Sequence, residues 1–471
     1  MKFSIKELGK IKSADFEVKD LTIFVGKNST NKSYAAHTVY MLNKAIYELD
    51  SIFMDYINNE LFEVYLEKNR KFLQDIELLK RKETFSETTV NINEDGTKTP
   101  FAVNVEFEIK NNQQLIDDII KSIIKYLNDF ILKEVNNNFN SNSDIISDIN
   151  LHTKCKIDLN KINKFEMDTI QVNTNTNIEF LKSIFDKILN IFSKNLISNK
   201  EYYFPASRTG FVLAFDEIIS GLLRDKFSNK SSSTKLTKPT IDFLLMFSDI
   251  KSSRFEIIQR DVLMIEDSLE EYRKKLNDIL KFIEEKMIKG KIVREDTLLN
   301  NKEFYFKPNN AKELELFLTS SSTVEMLPLI VFLQNIDNLK DILLIIEEPE
   351  AHLHPQAQIE MARLLVMLVN AGAKVLVTTH SDYIISEISN CIKLSNVNKN
   401  EQIAYLKKYN LNSDIIISQD NVSAYLFKDN KNEVEVKELK IDSFGINNEN
   451  FDEVLDELLD RTQEINESIE G

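Results

Sequence analysis

Three apolar runs in the sequence each end in polar residues that could bind a phosphate group or take part in its hydrolysis. The polar groups are the Gly26–Ser33 segment, the adjacent Glu347 and Glu348, and His380. Each run has the length of a buried strand, and ligands of open α/β sheets gather at the carboxyl ends of such strands. The sequence therefore predicts that the three groups meet at one edge of a sheet.

The first group has the spacing of a phosphate-binding loop, G-x-x-x-x-G-K-[ST]. Its residues are Gly26, Lys27, Asn28, Ser29, Thr30, Asn31, Lys32 and Ser33. Asn31 replaces the second glycine, and asparagine tolerates a left-handed backbone better than most residues do. The loop lies between a predicted strand and a predicted helix, where its N–H groups can bind phosphate. We expect Lys32 to contact the terminal phosphates and Ser33 to bind Mg²⁺. A chance polar turn is the alternative.

The second group could hold a metal ion and activate water. Glu347 and Glu348 follow the apolar Ile342–Ile346 run. Hydrolysis of a phosphoanhydride needs one carboxylate for Mg²⁺ and a second that orients or deprotonates the attacking water. We assign Glu347 to the metal and Glu348 to the water. The alternative is that these acidic residues only cap a strand and begin a loop.

The third group is His380, which ends the Lys374–Thr379 run and could contact a γ-phosphate or the attacking water. His352 and His354 lie in the segment that follows Glu348, so a zinc site is an alternative. The spacing of these histidines and the scarcity of cysteine match no structural zinc pattern, which disfavours it.

The composition excludes several classes of protein. The formal net charge of -16 argues against a surface devoted mainly to nucleic-acid backbone, although a local basic groove that binds DNA stays possible. Cys155 and Cys391 are too few for a disulfide framework, as is typical of a reducing cytosol. The sequence has no stretch of about 18 uncharged apolar residues and no secretory signal in its first residues. We expect a cytoplasmic protein that does not span a membrane.

The element pattern predicts an α/β fold with a parallel pair of strands. The apolar runs that end at Glu347 and Thr379 are separated by a predicted amphipathic helix, Gln356–Val369, which suggests a crossover connection. Ile403–Leu406 is expected to be a strand, and the Asn/Ser-rich Asn136–Asn150 segment is expected to be a loop.

The pattern also suggests a split core. The predicted parts are 1–45, the N-terminal part of the core; 46–199, an inserted α+β or helical arm; 200–445, the remainder of the core with a helical insertion at 213–300; and 446–471, an acidic C-terminal helix or tail.

The order of these segments resembles the ABC-type ATPases of the overcoming-lysogenization-defect and SMC-related group, often called AAA family ATPases. The resemblance covers residues 1–45 and about 200–445, and Glu347–Pro355 is its most specific part. It implies an ABC-type P-loop core with a mixed sheet, and ATP and Mg²⁺ as cofactors.

The resemblance also implies that two chains share each nucleotide site. In this group, Thr319–Thr323 matches a signature segment, and Ser320, Ser321, Ser322 and Thr323 would bind the γ-phosphate of ATP held by the opposite subunit. The usual glycine of that segment is missing. Arg208, in Pro205–Gly210, would lie near the nucleotide side of the core. A homodimer or a higher homo-oligomer is therefore expected.

Members with this motif style often act in bacterial anti-phage defence with a nuclease or toxin effector. The resemblance implies an ATPase subunit whose effector is a separate polypeptide, similar to PARIS or Septu-like systems. Two other functions stay open. One is an SMC-like ATPase of DNA repair or recombination, and the other is a nucleotide-gated scaffold that does not hydrolyse ATP.

Overall fold

The computed structural model describes residues 2–58, 132, 136, 148–151, 198, 200–227, 236–252, 266–296, 302–430, 433–447 and 460–463. The chain divides into two compact units. The first consists of Met1–Lys44, Leu132–His152 and Ile197–Gly471, and the second of Ala45–Ile131 and Thr153–Leu196. Most of the predicted arm, 46–199, and most of the predicted tail, 446–471, lie outside the described residues.

The described strands are β1 (Lys2–Leu8), β2 (Ile11–Glu17), β3 (Leu21–Gly26), β4 (Asp148–Leu151), β5 (Lys200–Phe204), β6 (Gly290–Asp296), β7 (Lys302–Pro308), β8 (Leu314–Glu315), β9 (Ile342–Glu347), β10 (Lys374–Thr379), β11 (Val422–Asn430), β12 (Glu433–Glu438), β13 (Ile441–Asp442) and β14 (Gly445–Ile446).

The described α-helices are α1 (Lys32–Asn58), α2 (Arg208–Leu213), α3 (Phe215–Phe227), α4 (Lys238–Lys251), α5 (Glu266–Phe282), α6 (Ser321–Leu333), α7 (Pro355–Asn370), α8 (Asp382–Asn396) and α9 (Lys399–Tyr409). A π-helical turn, Ile283–Ile288, continues α5. None of the helices within these described ranges is both long and apolar enough to cross a membrane.

Nine strands form one mixed sheet in the order β4-β1-β2-β12-β11-β3-β10-β9-β5. The five strands from β11 to β5 run parallel to one another, while β1 pairs antiparallel with β2 and β4, and β11 with β12. Helix α7 connects β9 to β10, so the predicted crossover is confirmed. The predicted α/β class with a mixed sheet is confirmed as well.

Alternate side chains of β5 show how the sheet is covered on both faces. Tyr203 contacts the rings of His37 and Tyr40 on α1, with centroids 5.0 and 5.6 Å apart. Its neighbours Tyr202 and Phe204 contact Phe332 of α6 instead, at 4.5 and 5.7 Å. Because successive side chains of a strand point to opposite faces, α1 and α6 lie on opposite sides of the sheet. The phosphate loop therefore leads into a helix that is packed against one face of the sheet.

An aromatic cluster fastens the β1–β2 hairpin to the centre of the sheet. The ring of Phe16 lies 5.3 Å from Phe3, 5.2 Å from Phe24 and 5.1 Å from Tyr425, measured between centroids. All four side chains are buried. Aromatic pairs at these distances add about 0.5 to 1.5 kcal/mol each beyond their buried area. These contacts therefore link the hairpin to β11 and β3, although β12 and β11 lie between it and β3 in the sheet.

Two predicted elements are wrong. Ile403–Leu406 belongs to α9 and is helical, because the side chain of Asn398 caps the helix at Glu401 N, 3.1 Å away, and Asn410 ends it with a φ of 51°. These caps outweighed a short apolar alternation. Asp148–Leu151, at the end of the predicted Asn136–Asn150 loop, is strand β4 and pairs with β1. Polar residues suffice there because β4 lies at the edge of the sheet.

Candidate functional site

Three neighbouring parallel strands bring the predicted polar groups to one edge of the sheet. In the ladder, Thr379 of β10 pairs with Val25 of β3, and Thr378 pairs with Glu347 of β9. The carboxyl ends of the three strands are therefore level. The loops that follow them begin with the phosphate loop, with Glu348 and with His380.

The phosphate loop begins where the backbone has no room for a side chain. Gly26 has a φ of 155°, and a Cβ there would lie 2.5 Å from the carbonyl oxygen of Phe427 on β11. Ser29 and Asn31 both have a φ of 64°, in the left-handed region. Asn31 thus adopts the backbone that glycine supplies in the usual pattern. The strain of a non-glycine residue in this region is about 1 to 2 kcal/mol.

Lys32 folds back into the loop. Its ammonium group donates to the carbonyl oxygens of Gly26 and Lys27, each 2.8 Å away. Burial lowers the pKa of Lys32, while the nearby carboxylates of Glu348, Glu350 and Glu347 act to raise it. An ammonium group that is partly desolvated and held by neutral carbonyls can exchange these partners for phosphate oxygens, which bind it more strongly.

The turn between β1 and β2 touches the loop at Asn31. Gly9 has a φ of 59°, and a Cβ at this position would overlap the carboxamide nitrogen of Asn31. Asn31 therefore fits its place in the loop only because residue 9 has no side chain. The sequence pattern did not indicate this contact, since it joins two segments that local spacing does not relate.

Glu347 and Glu348 differ in their surroundings. Glu347 is only 6% exposed, and its Oε2 accepts from Ala206 N at 3.2 Å. Its Oε1 is buried without a hydrogen-bond partner among the described residues. A buried carboxylate oxygen and the exposed Ser33 hydroxyl are ligands that Mg²⁺ prefers, so these residues fit such an ion. Glu348 is less buried and has a φ of 41°.

Glu350 is a site residue that the sequence interpretation missed. It is 5% exposed, and its Oε1 accepts from Thr379 Oγ1 at 2.8 Å and from His380 N at 2.7 Å. The same oxygen lies 3.2 Å from His380 Nδ1. Glu350 therefore positions His380, whose side chain is half exposed. The residue lies inside the Glu347–Pro355 run, but residue type alone assigned it no role.

Arg208 is buried against the backbone of the acidic strand end. Its Nη1 donates to Glu347 O at 2.6 Å and its Nη2 to Glu348 O at 3.3 Å. Nη2 also lies 2.5 Å from Glu325 Oε1, and Thr209 donates to the other oxygen of Glu325. Burial lowers the pKa of Arg208 and raises that of Glu325, and each group opposes the shift of the other. Glu325, a lone charge in the apolar helix α6, was also missed.

The predicted signature segment forms the start of α6. Ser320 caps this helix: its Oγ accepts from Thr323 N at 3.3 Å and lies 2.9 Å from Thr323 Oγ1. Thr323 is buried, whereas Ser320 and Ser321 are exposed. The preceding Phe317 and Leu318 are 67% and 61% exposed. Hydroxyl groups, an open helix N-terminus and large apolar side chains thus lie together on the surface.

The fold and the site define a nucleotide-binding core of the α/β class with a phosphate loop. A phosphate loop joins β3 to a helix, and β9, which is separated from β3 by β10, leads into the paired carboxylates. A family model described as AAA ATPase domain matches residues 1–385. The chain belongs to this family of AAA ATPases.

Solved structures similar to the chain include SMC head domains. The SmcHead bound to the C-winged helix domain of ScpA has 10% identity, covers 93% of this chain and 98% of its own, and has a TM-score of 0.36. The Smc head domain with an extended coiled coil bound to the C-terminal domain of ScpA, derived from Pyrococcus furiosus, has 11% identity, coverage of 100% and 99%, and a TM-score of 0.31.

The SMC head domain from Thermotoga maritima has 11% identity, coverage of 37% and 51%, and a TM-score of 0.21. Because all three TM-scores are below 0.5, the family assignment rests on the match over residues 1–385. No curated protein matches the chain.

Proposed function

We propose that the protein binds and hydrolyses ATP with Mg²⁺ at the edge of the sheet where β3, β10 and β9 end. The observation that carries this proposal is the position of Lys32. Its ammonium group lies in a phosphate loop at the edge of the sheet where β10 and β9 also end, and the carboxylates of Glu348, Glu350 and Glu347 act on its charge. A cation for phosphate and carboxylates for metal and water are the groups that phosphoryl transfer to water requires.

Each residue has a proposed role. The loop N–H groups and Lys32 bind the phosphates, and Ser33 and Glu347 would hold Mg²⁺, which supplies positive charge to the phosphates when it is bound. Glu348 orients or deprotonates the attacking water. His380, held by Glu350, contacts the γ-phosphate or that water. Arg208 positions the backbone of Glu347 and Glu348, because it is only 3% exposed and donates hydrogen bonds to their carbonyl oxygens.

The proposed active form is a head-to-tail pair of chains with two composite sites. The exposed serines at the start of α6 supply hydroxyl and N–H groups to the γ-phosphate held by the other chain. The exposed Phe317 and Leu318 beside them support this arrangement, since large apolar side chains grouped at the surface favour a protein contact.

Substitutions at the carboxylates test the proposed hydrolysis. We expect Glu348→Gln to bind ATP but to lower turnover at least about a hundredfold, because a positioned base contributes on this scale. Lys32→Ala should lose ATP affinity through loss of a charge-assisted contact. ATP turnover and equilibrium ATP binding of the purified chain are the measurements. If Glu348→Gln stays active while Glu347→Gln loses turnover, then the roles in binding Mg²⁺ and activating water have been assigned to the wrong carboxylates.

The same assay separates the alternatives. A scaffold gated by nucleotide would bind ATP without turnover. The observation that favours it is the replacement of the usual glycines in the phosphate loop and the signature segment. An SMC-like ATPase of DNA repair would respond to DNA, so turnover is measured with and without it.

Control of a separate nuclease or toxin effector in anti-phage defence, in the cytoplasm, stays a proposal that rests on the resemblance of the motifs. Purification of the chain with the products of its neighbouring genes is the direct test. A bound effector whose activity changes with ATP would support it, and purification without any partner would count against it.

A further inference from the structure

Arg208 joins three segments that are far apart in the sequence. It follows β5, it donates to the carbonyl groups of Glu347 and Glu348 after β9, and it pairs with Glu325 on α6. The side chains of Arg208 and Glu325 are 4% and 0% exposed. Because both charges are removed from water, neither can move far without the other. Helix α6 and the end of β9 are thus linked through the ion pair of Arg208 with Glu325.

The backbone of Glu348 is held from both sides. Its N–H donates to Thr378 O at 2.9 Å, and its carbonyl oxygen accepts from Arg208. Its φ of 41° is one that a side-chain-bearing residue keeps only when its surroundings enforce it. The N–H of Ala351 donates to the same carbonyl oxygen at 2.9 Å. Arg208 is therefore the side chain that, together with the backbone of Thr378 and Ala351, sets the direction of the proposed catalytic carboxylate.

The other end of the connection lies close to the signature segment. Glu325 is in the first turns of α6, which Ser320 caps, and its second carboxylate oxygen is bound by Thr209. A helix transmits a displacement along its axis as a stiff body. A change in the position of the Ser320–Ser322 segment, in which Ser320 and Ser321 are exposed, therefore reaches Glu325, and through Arg208 it reaches Glu348.

We propose that Arg208 and Glu325 form a positioning pair that couples the signature segment of one chain to Glu348 of the same chain. The inference rests on the proposed head-to-tail pair of chains, in which the signature segment and Glu348 of one chain act on different ATP molecules. Nucleotide engaged by the signature segment then adjusts hydrolysis at the other site. ATP at one composite site accelerates turnover at the other composite site, and this dependence is lost when the ion pair between Arg208 and Glu325 is broken.

Mixed dimers with one active site test the coupling. A test chain carries one affinity tag and its partner carries a second, so that only mixed dimers are collected. The partner is either Lys32→Ala, whose own loop stays empty, or Glu348→Gln, whose loop holds ATP without turnover. The signature segment of the test chain faces an empty site in the first dimer and an occupied site in the second.

We expect the occupied partner to raise turnover of the wild-type test chain about fivefold or more, the lower end of usual coupling between sites. With Arg208→Lys in the test chain, the ratio of the two turnover rates should fall to about one, while ATP binding is kept. Glu325→Gln, which preserves shape and removes the charge, should lower the same ratio.

The control is Arg363→Lys. Arg363 joins α7 to α8 through Glu360 and Glu387, at 2.9 and 2.7 Å, and is also mostly buried. It should leave the ratio unchanged. Should Arg208→Lys fail to fold, the paired apolar change Arg208→Met with Glu325→Leu removes both charges together and serves in its place.

The outcomes separate the coupling from the proposed function. Absence of turnover in both wild-type mixed dimers, despite ATP binding, would contradict the proposed hydrolysis. Turnover that is the same with either partner, or a ratio that survives Arg208→Lys and Glu325→Gln, would overturn the coupling alone.

Discussion

Asn31 shows how one residue can depart from a phosphate-loop pattern without loss of its geometry. The position requires a left-handed backbone, which asparagine adopts at lower cost than most residues. The larger difficulty is space for a carboxamide, and the glycine at position 9 provides that space. The two residues therefore compensate one another across two segments.

This compensation predicts the result of a double-mutant cycle. Gly9→Ala should raise the Kd for ATP about tenfold, about 1.4 kcal/mol, because the new Cβ displaces Asn31 and with it the loop. Asn31→Gly should restore most of the affinity in the Gly9→Ala background and change little by itself. Equilibrium ATP binding of the four proteins is the measurement.

A measurement of stability separates the backbone strain at residue 9 from the loss of space for Asn31. Alanine at a φ of 59° also lowers stability by about 1 to 2 kcal/mol, and this loss should persist in the double variant when unfolding is measured. If the double variant binds ATP as weakly as Gly9→Ala alone, the contact with Asn31 is not the cause.

Residue spacing predicted the phosphate loop, the paired carboxylates and His380, because each follows an apolar run that is local in sequence. It did not indicate Gly9, Glu325 or Glu350. Their roles depend on partners from other segments: Asn31, Arg208 and Thr379. A single sequence contains no local signal for such pairs.

At the scale of elements, the segment after β9 is fastened to the end of β10 through one carboxylate. Oε1 of Glu350 accepts from the hydroxyl of Thr379 and from the N–H of His380. Both strand ends belong to the proposed site. The geometry of two separate loops therefore depends on this buried side chain.

Glu350→Ala should lower the free energy of unfolding by about 2 to 3 kcal/mol, because it leaves buried donors without an acceptor. Glu350→Gln should cost less, since an amide oxygen can still accept. ATP turnover should fall in the same order as His380 loses its support. Denaturant unfolding and steady-state ATPase assays are the measurements, and equal stability of the two variants would argue against the role of Glu350.

The elements also show which patterns can be read locally. Strands β3, β9 and β10 were predicted because they are continuously apolar and end in polar groups. Helix α9 was misread because it has no buried residue, so its apolar side chains follow neither period clearly. Its capping residues, Asn398 and Asn410, were the better signal.

At the scale of the whole molecule, the proposed pair of chains predicts complementation between two inactive variants. In a mixed dimer of Lys32→Ala with Ser321→Arg, both lesions fall on one composite site and the other site is wild type. Turnover should recover to as much as about a quarter of the wild-type rate after random mixing, since half of the dimers are mixed and each has one intact site.

Coupling through Arg208 would lower the recovered turnover below a quarter of the wild-type rate. The composite site that carries both lesions cannot bind ATP productively, so it cannot accelerate the intact site. No recovery, in spite of confirmed mixed dimers and active wild-type chains mixed in the same way, would count against sites that are shared between chains. Each variant alone should stay inactive, and Ser321→Arg should still bind ATP.

The order of strands in the sheet has a consequence for the time course of synthesis. Strand β3, near the start of the chain, lies between β10 and β11, which are among the last strands described. Until β11 has been made, β3 lacks one neighbour, and Gly26 lacks the Phe427 carbonyl group against which it packs. Sheets with such distant pairings form slowly and expose apolar edges meanwhile. The growing chain therefore has no finished phosphate loop until β11 has been made, and the proposed ATP site cannot form before then.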